Sequence, residues 1–68
     1  MRFRRSADKH GVPRYSTWVV AMKGSVSGIT TNSGEPGRWY VGFDDRGIEL
    51  EVLTVLRGGQ EWVIHSMP

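Results

Sequence analysis

Residues 38–67 read RWYVGFDDRGIELEVLTVLRGGQEWVIHSM and carry the clearest structural signal of the chain. From Trp39 to Phe43, large apolar residues alternate with polar or small ones, which is the period of a half-buried strand. Two further strand-like runs cover residues 48–57 and 61–67. The Gly-Gly pair that precedes the last run tolerates the positive φ angles of a short hairpin loop. The pattern therefore predicts a three-stranded antiparallel meander.

The loops also predict which side chains share a face of this meander. A two-residue Gly-Gly loop places Arg57 opposite Gln60, which pairs Val55 with Trp62, Leu53 with Ile64 and Val52 with His65. If a four-residue loop sets Phe43 against Ile48, the face toward the helices holds Trp39, Val41, Phe43, Ile48, Leu50, Val52, Leu56, Val63, His65 and Met67. The reverse face then holds Arg38, Tyr40, Glu49, Glu51, Leu53, Val55, Arg57, Trp62 and Ile64. That reverse face is too apolar to stand fully in water, so we expect a partner to cover part of it.

The N-terminal part favours short helices. Arg2-Phe3-Arg4 is compatible with a short edge strand, and Ser6 is a suitable N-cap for a helix that Gly11 ends. Pro13 suits the first turn of a second helix over residues 15–22, although the β-branched residues there leave a strand open. Residues 25–31 form at most one weak strand. We predict one α+β domain over residues 1–68, with one or two short N-terminal helices packed on a three- to four-stranded antiparallel sheet.

Length, composition and charge limit the classes of function. Sixty-eight residues without cysteine make one small domain with neither disulfides nor thiolate metal sites. No apolar run reaches the length of a membrane helix, so we expect a soluble cytoplasmic protein with no membrane partner. Residues 1–24 carry a net charge of +5 and residues 25–68 carry −3. This asymmetry indicates a basic end that meets a polyanion or an acidic partner, or only a well-solvated surface.

Two patches of the sequence resemble a known family. Residues 5–12, RSADKHGV, are similar to the N-terminal pattern of the BrnT-like branch of the RelE-like ribonucleases, which are toxins of type II toxin–antitoxin systems. The order of the later segments RWYVG, LEV and VIHSMP is also similar. The resemblance implies a RelE/BrnT-like fold, cleavage of messenger RNA, and neutralisation by a DNA-binding antitoxin protein in a toxin–antitoxin complex.

The histidines are the candidates for RNA cleavage. Cleavage without a metal needs a base for the 2′-hydroxyl, an acid for the leaving 5′-oxygen and cations for the developing charge. Histidine suits proton transfer at neutral pH. We therefore predict Lys9, His10 and His65 as catalytic residues, with no metal and no cofactor. The plainer interpretation is that His10 ends a helix and that His65 is a core histidine.

Cationic and aromatic side chains complete the predicted surface. Phosphate-binding candidates for the RNA partner are Arg4, Arg5, Arg14, Arg38 and Arg57. Tyr40, Trp62 and Ile64 are predicted to contact a protein partner, either the antitoxin or a second copy in a homo-oligomer. Two alternatives remain open. One is a non-catalytic regulator of the same fold that binds a protein partner. The other is an all-β nucleic-acid-binding barrel, which follows if residues 15–22 form a strand.

Overall fold

One α-helix and one mixed sheet make up the computed structural model, which describes all residues from Met1 to Pro68. In chain order the elements are β1 Arg2–Phe3, a 3₁₀ turn Arg5–Asp8, α1 Arg14–Lys23, β2 Ser25–Thr30, β3 Pro36–Phe43, β4 Glu49–Arg57 and β5 Gln60–Met67. The strands are arranged β1-β5-β4-β3-β2 across the sheet. Strand β1 pairs parallel with β5, and the other neighbours are antiparallel.

The predicted sheet of three to four antiparallel strands was wrong, because the sheet has five strands and is mixed. The short edge strand expected at Arg2-Phe3-Arg4 is confirmed as β1, but it is only two residues long and pairs parallel with β5. At the other edge, β2 pairs with β3 along its whole length despite its Ser- and Gly-rich sequence. Strand propensity depends on the neighbouring strand, which the local sequence does not show.

The first predicted helix was also wrong in detail. It is a 3₁₀ turn, and its N-cap is Arg4 rather than Ser6. The Ser6 hydroxyl instead donates a hydrogen bond of 2.7 Å to the backbone carbonyl of Ile64 in β5. Gly11, with φ +70°, turns the chain toward α1 as the sequence suggested.

Helix α1 is formed where the sequence favoured it, with Pro13 as N-cap, so the all-β barrel is ruled out. Its β-branched Val20 is fully buried, and this packing outweighs a modest helix propensity. The amide of Gly24 donates to the carbonyl of Val20 at 2.7 Å. A Cβ at Gly24 would lie 2.6 Å from the carbonyl oxygen of Val41, so only glycine lets the helix pass directly into β2 here. No helix of the chain has the length and apolar character to cross a bilayer.

The hydrophobic core lies between α1, the 3₁₀ turn and one face of the sheet. It consists of Ala7, Val12, Val20, Tyr40, Leu50, Val52 and Val63. Inside it, the hydroxyl groups of Thr17 and Ser66 form a hydrogen bond of 2.6 Å and satisfy each other. The opposite face of the sheet has no helix over it and is called the open face below.

Strand β3 presents the opposite face from the one predicted. Tyr40 is buried toward the core, whereas Trp39 and Phe43 are on the open face. The cause is the turn before β4, because Phe43 pairs with Glu49 and not with Ile48. Asp44 builds this longer turn by accepting hydrogen bonds from two backbone amides, 2.7 and 2.9 Å long. A difference of one residue in a turn reverses every side chain of the strand.

A β-bulge at Ile64 reverses the second half of β5. The predicted pairs Arg57–Gln60 and Val55–Trp62 are confirmed. Beyond them, however, Thr54 pairs with Val63 and Leu53 pairs with His65, so that Ile64 has no partner. His65 and Met67 therefore lie on the open face, and their predicted positions in the core were wrong.

Candidate functional site

The two histidines of the chain meet although 54 residues separate them in sequence. Their ring centroids are 5.1 Å apart, and the rings stand edge to face at 85°. His10 is exposed, whereas His65 is half-buried, with its Nε2 atom 3.0 Å from the sulfur of Met67. We refer to these two rings as the histidine pair.

Two local features of the backbone bring the histidine pair together. The 3₁₀ turn runs along β5, where the Ser6 hydroxyl is bonded to the Ile64 carbonyl, and this position brings His10 beside the strand. The bulge at Ile64 places His65 on the open face, where His10 reaches it. Without the bulge, the imidazole of His65 would point toward Thr17 and the core.

Three cations without an ion-pair partner lie on or next to the 3₁₀ turn that leads to His10. The ion pairs of the structure involve Arg14, Arg38, Arg46 and Arg57. Arg4, Arg5 and Lys9 are exposed and have no carboxylate within salt-bridge distance. A phosphate group would therefore meet these three side chains without displacing a protein carboxylate.

Three of the predicted phosphate-binding arginines already hold carboxylates. Arg14 binds both carboxylate oxygens of Asp8, at 3.1 and 2.8 Å, and its guanidinium stacks over the ring of Phe3. This pair joins the 3₁₀ turn to the start of α1. Arg38 lies 3.2 Å from Glu61 on the helix side of the sheet, and so on the opposite face from the histidine pair.

Arg57 belongs to an open pocket of about 230 Å³ on the open face. The pocket is lined by Arg4, Ser6, Thr31, Ser33, Glu35, Val55, Arg57 and Ile64. Arg57 donates to both oxygens of Glu35, at 2.7 and 2.6 Å, and these bonds lower the pKa of the Glu35 carboxyl below its ordinary value. Because Ile64 precedes His65 in β5, the pocket adjoins the histidine pair.

A polar cluster around Glu61 was not predicted from the sequence. Glu61 accepts hydrogen bonds from the hydroxyls of Tyr40 and Thr54, at 2.6 and 2.7 Å, and from Arg38 at 3.2 Å. Burial opposes ionisation of this carboxyl, but the bonds from Tyr40 and Thr54 and the charge of Arg38 outweigh burial and lower its pKa. Alternation of charged and apolar residues in β5 is the only sequence signal, and it does not show which partners meet.

The predicted partner-binding residues are separated by the sheet. The expected exposure of Tyr40 was wrong, because its ring is in the core. Trp62 and Ile64 are half-buried on the open face, with the guanidinium of Arg2 stacked on Trp62. The large apolar side chains that are exposed on this side are Trp39 and Phe43, with 39% and 64% of their surface accessible.

No group of three or more histidine, cysteine and acidic side chains is placed to hold a metal ion. Comparisons of the chain with protein-family models, with curated proteins and with solved structures find no match.

Proposed function

We propose that this protein is an RNA endonuclease that acts without a metal, with His10 and His65 as its acid–base pair, and that it is the toxin of a type II toxin–antitoxin system. The observation that carries the proposal is the contact between the two rings. The resemblance of residues 5–12 and of the C-terminal strands to BrnT-like toxins supports the same activity.

The proposed reaction uses the RNA itself as nucleophile. One imidazole takes the proton of a 2′-hydroxyl, whose oxygen attacks the adjacent phosphorus. The other imidazole gives a proton to the leaving 5′-oxygen, so that a 2′,3′-cyclic phosphate and a new 5′-hydroxyl are formed. The second proton transfer offsets the first, and no other reactant is consumed.

Lys9 supplies positive charge next to the reacting phosphate. It follows the 3₁₀ turn, precedes His10 directly and makes no ion pair. An ammonium group at this position stabilises the extra negative charge of the phosphorane as a point charge. Arg5, on the same turn, adds to the attraction of the polyanion.

Entry of the substrate requires a movement of His10. Two rings in edge contact leave no space for a phosphorus atom with its attacking and leaving oxygens. His10 is exposed on the turn that ends at Gly11, so its ring can change rotamer without disturbing the core. We therefore expect the His10 ring to swing away from His65 when RNA binds.

Cleavage of a labelled single-stranded RNA by the purified protein tests the proposal. The products are analysed for 2′,3′-cyclic phosphate ends, with and without ribosomes. We expect His10→Ala and His65→Ala each to slow cleavage by about 10²–10⁴-fold, the usual contribution of an acid–base group. A matched control is Met67→Leu, which alters the same face next to His65 without removing a titrating group.

Absence of cleavage by the wild-type chain under both conditions would remove the enzymatic proposal. Unchanged cleavage by His10→Ala would remove the assigned pair and leave the activity without a site. If Met67→Leu were as slow as His65→Ala, the strand, rather than the imidazole, would be responsible.

The partner and the location belong to the same proposal. An antitoxin protein would cover the open face, where Trp39 and Phe43 expose apolar surface. The toxin and the antitoxin would both be located in the cytoplasm, where messenger RNA is available. Coexpression with a candidate antitoxin should restore growth of cells that produce the toxin, and a polar residue at Phe43 should weaken that complex.

A non-catalytic regulator is the second candidate, because the exposed aromatic residues alone suffice for binding a protein. It predicts that polar substitutions of Trp39 and Phe43 abolish a complex while the chain stays folded. It also predicts that the wild-type chain cleaves no RNA and that His10→Ala leaves partner binding unchanged, which separates it from the nuclease.

A further inference from the structure

The pocket beside the histidine pair combines features of an anion-binding site. Its charged groups are two arginines, Arg4 and Arg57, and one carboxylate, Glu35. Ser6, Thr31 and Ser33 line the same space, and the Ser33 hydroxyl donates a hydrogen bond to Glu35. Guanidinium and hydroxyl donors around an open volume are the groups that bind phosphate oxygens in proteins.

Glu35 occupies the binding edge of Arg57. Both carboxylate oxygens of Glu35 are bonded to this guanidinium in the bidentate geometry that a phosphate also adopts. The pair is not buried, since 51% of the Arg57 side chain is accessible. A phosphate entering from solvent can therefore replace the carboxylate without a change in the core.

Arg4 faces the same carboxylate from the other wall of the pocket. It is the N-cap of the 3₁₀ turn, and its charge contributes to the lowered pKa of Glu35 across the pocket. No carboxylate lies within salt-bridge distance of Arg4. When Glu35 is displaced, two guanidinium groups face one anion.

The position of the pocket relates it to the histidine pair. The 3₁₀ turn follows Arg4 and leads to His10, and at a rise of about 2 Å per residue these two residues are roughly 12 Å apart along the chain. On the sheet side, Ile64 lines the pocket and His65 follows it. A strand of RNA at the histidine pair thus passes the pocket with a neighbouring phosphate.

We propose that this pocket is a subsite for a backbone phosphate near the cleaved bond, in which Glu35 holds the place of the phosphate until RNA displaces it. The inference rests on the proposed function, and it assigns Arg4 and Arg57, rather than Arg14 and Arg38, to the RNA.

Binding of a fluorescent single-stranded DNA at increasing salt concentration tests the subsite without cleavage, because DNA lacks the 2′-hydroxyl. For single strands, each phosphate contact contributes about 0.7 to the slope of log affinity against log salt. We expect Arg4→Gln and Arg57→Gln each to reduce the slope by about this amount. Lys23→Gln, which removes an unpaired cation at the end of α1, is the matched control and should leave the slope unchanged.

The variant Glu35→Gln gives the sharpest distinction. If Glu35 stands in for a phosphate, its neutralisation should strengthen binding and steepen the slope, because Arg57 no longer has a competing anion. If the Glu35–Arg57 pair only holds the loop, the variant should weaken binding. Thermal unfolding of each variant shows whether the fold is retained.

Three results would overturn the subsite. They are equal effects of Arg4→Gln and Lys23→Gln, weaker binding by a folded Glu35→Gln protein, and absence of binding by the wild-type chain. If His10→Ala loses cleavage but binds DNA with the salt slope of the wild type, the phosphate subsite and the acid–base pair act independently. Cleavage that persists while the slopes of the Arg4 and Arg57 variants do not change would remove the subsite alone.

Discussion

Removal of the Tyr40 hydroxyl should lower stability through the polar cluster around Glu61. The hydroxyl donates to the Glu61 carboxylate at 2.6 Å in a part-buried position. Hydrogen bonds to charged groups contribute about 1.5–3 kcal/mol, and Glu61 keeps its bond from Thr54 in the variant. We therefore expect Tyr40→Phe to lower the free energy of unfolding by about 1.5–2 kcal/mol. A domain of this length has roughly 3–10 kcal/mol in all, so the loss is large.

The same substitution should depend on pH in a defined direction. The pKa of Glu61 is lower in the folded chain than its ordinary value of 4.5. The stabilisation by its ionised form is therefore complete above the unfolded-state pKa and is lost as the pH falls through the folded-state pKa. In strong acid the carboxyl is neutral and a weaker acceptor, so Tyr40→Phe should be less costly there.

Urea unfolding followed by tryptophan fluorescence measures both effects, at neutral pH and in acid. Tyr15→Phe is the matched control, since Tyr15 is 62% exposed on α1 and makes no side-chain hydrogen bond. A loss below about 0.5 kcal/mol at neutral pH, typical of a surface change, would refute the reasoning. An equal loss at both pH values would show that the charge of Glu61 is irrelevant.

Three further substitutions test the core and the turns. Thr17→Val leaves the buried hydroxyl of Ser66 without its partner and should reduce the free energy of unfolding by about 1–3 kcal/mol, part of which the double variant with Ser66→Ala restores. Gly37→Ala should shift the β3–β4 pairing, seen as altered amide resonances, because a Cβ there overlaps the carbonyl of Thr54; unaltered resonances would contradict this. Asp44→Ala should lower the melting temperature at neutral pH but less in acid, because despite burial the hydrogen bonds to its ionised form lower its pKa; an equal loss in acid would exclude that cause.

Local patterns were sufficient for the elements whose signals lie within a few residues. The Gly58-Gly59 loop is confirmed by positive φ angles at both glycines and by the predicted pairing of Arg57 with Gln60. The helix after Pro13 and its end at Gly24 follow from residues next to each other in sequence. In each case the conformation is set by residues that are close in sequence.

The wrong predictions arise where residues outside the local pattern decide which way a strand faces or which strand it pairs with. Asp44 adds one residue to a turn by capping two backbone amides, which reversed β3, and nothing in the alternation of residues 38–43 shows this. The two-residue strand β1 exists only because β5 accepts it in parallel. The ends of strands were thus predictable, whereas their faces and the edge partner were not.

For the candidate site, residue type indicated which side chains carry useful chemistry but not which of them lie together in the structure. His10 and His65 were selected because histidine suits proton transfer, and the structure adds that they touch. The arginines were selected by charge alone, so the sequence did not distinguish Arg4 from Arg14, whose guanidinium is held by Asp8. Glu35 and Glu61 meet their arginines only because the strands pair, whereas Asp44 binds Arg46 within its own turn.

The unpaired residue in β5 allows one strand to satisfy two different requirements. Upstream of Ile64 the strand gives Val63 to the interior, and downstream it gives Ser66 to the interior and the imidazole to the outside. If Ile64 instead paired with Leu53 in a regular ladder, Ser66 and the imidazole would exchange faces, whereas Val63 would keep its place. Substitutions that retain the irregularity can therefore alter the exposed end of the strand while the packing that holds the domain together stays the same.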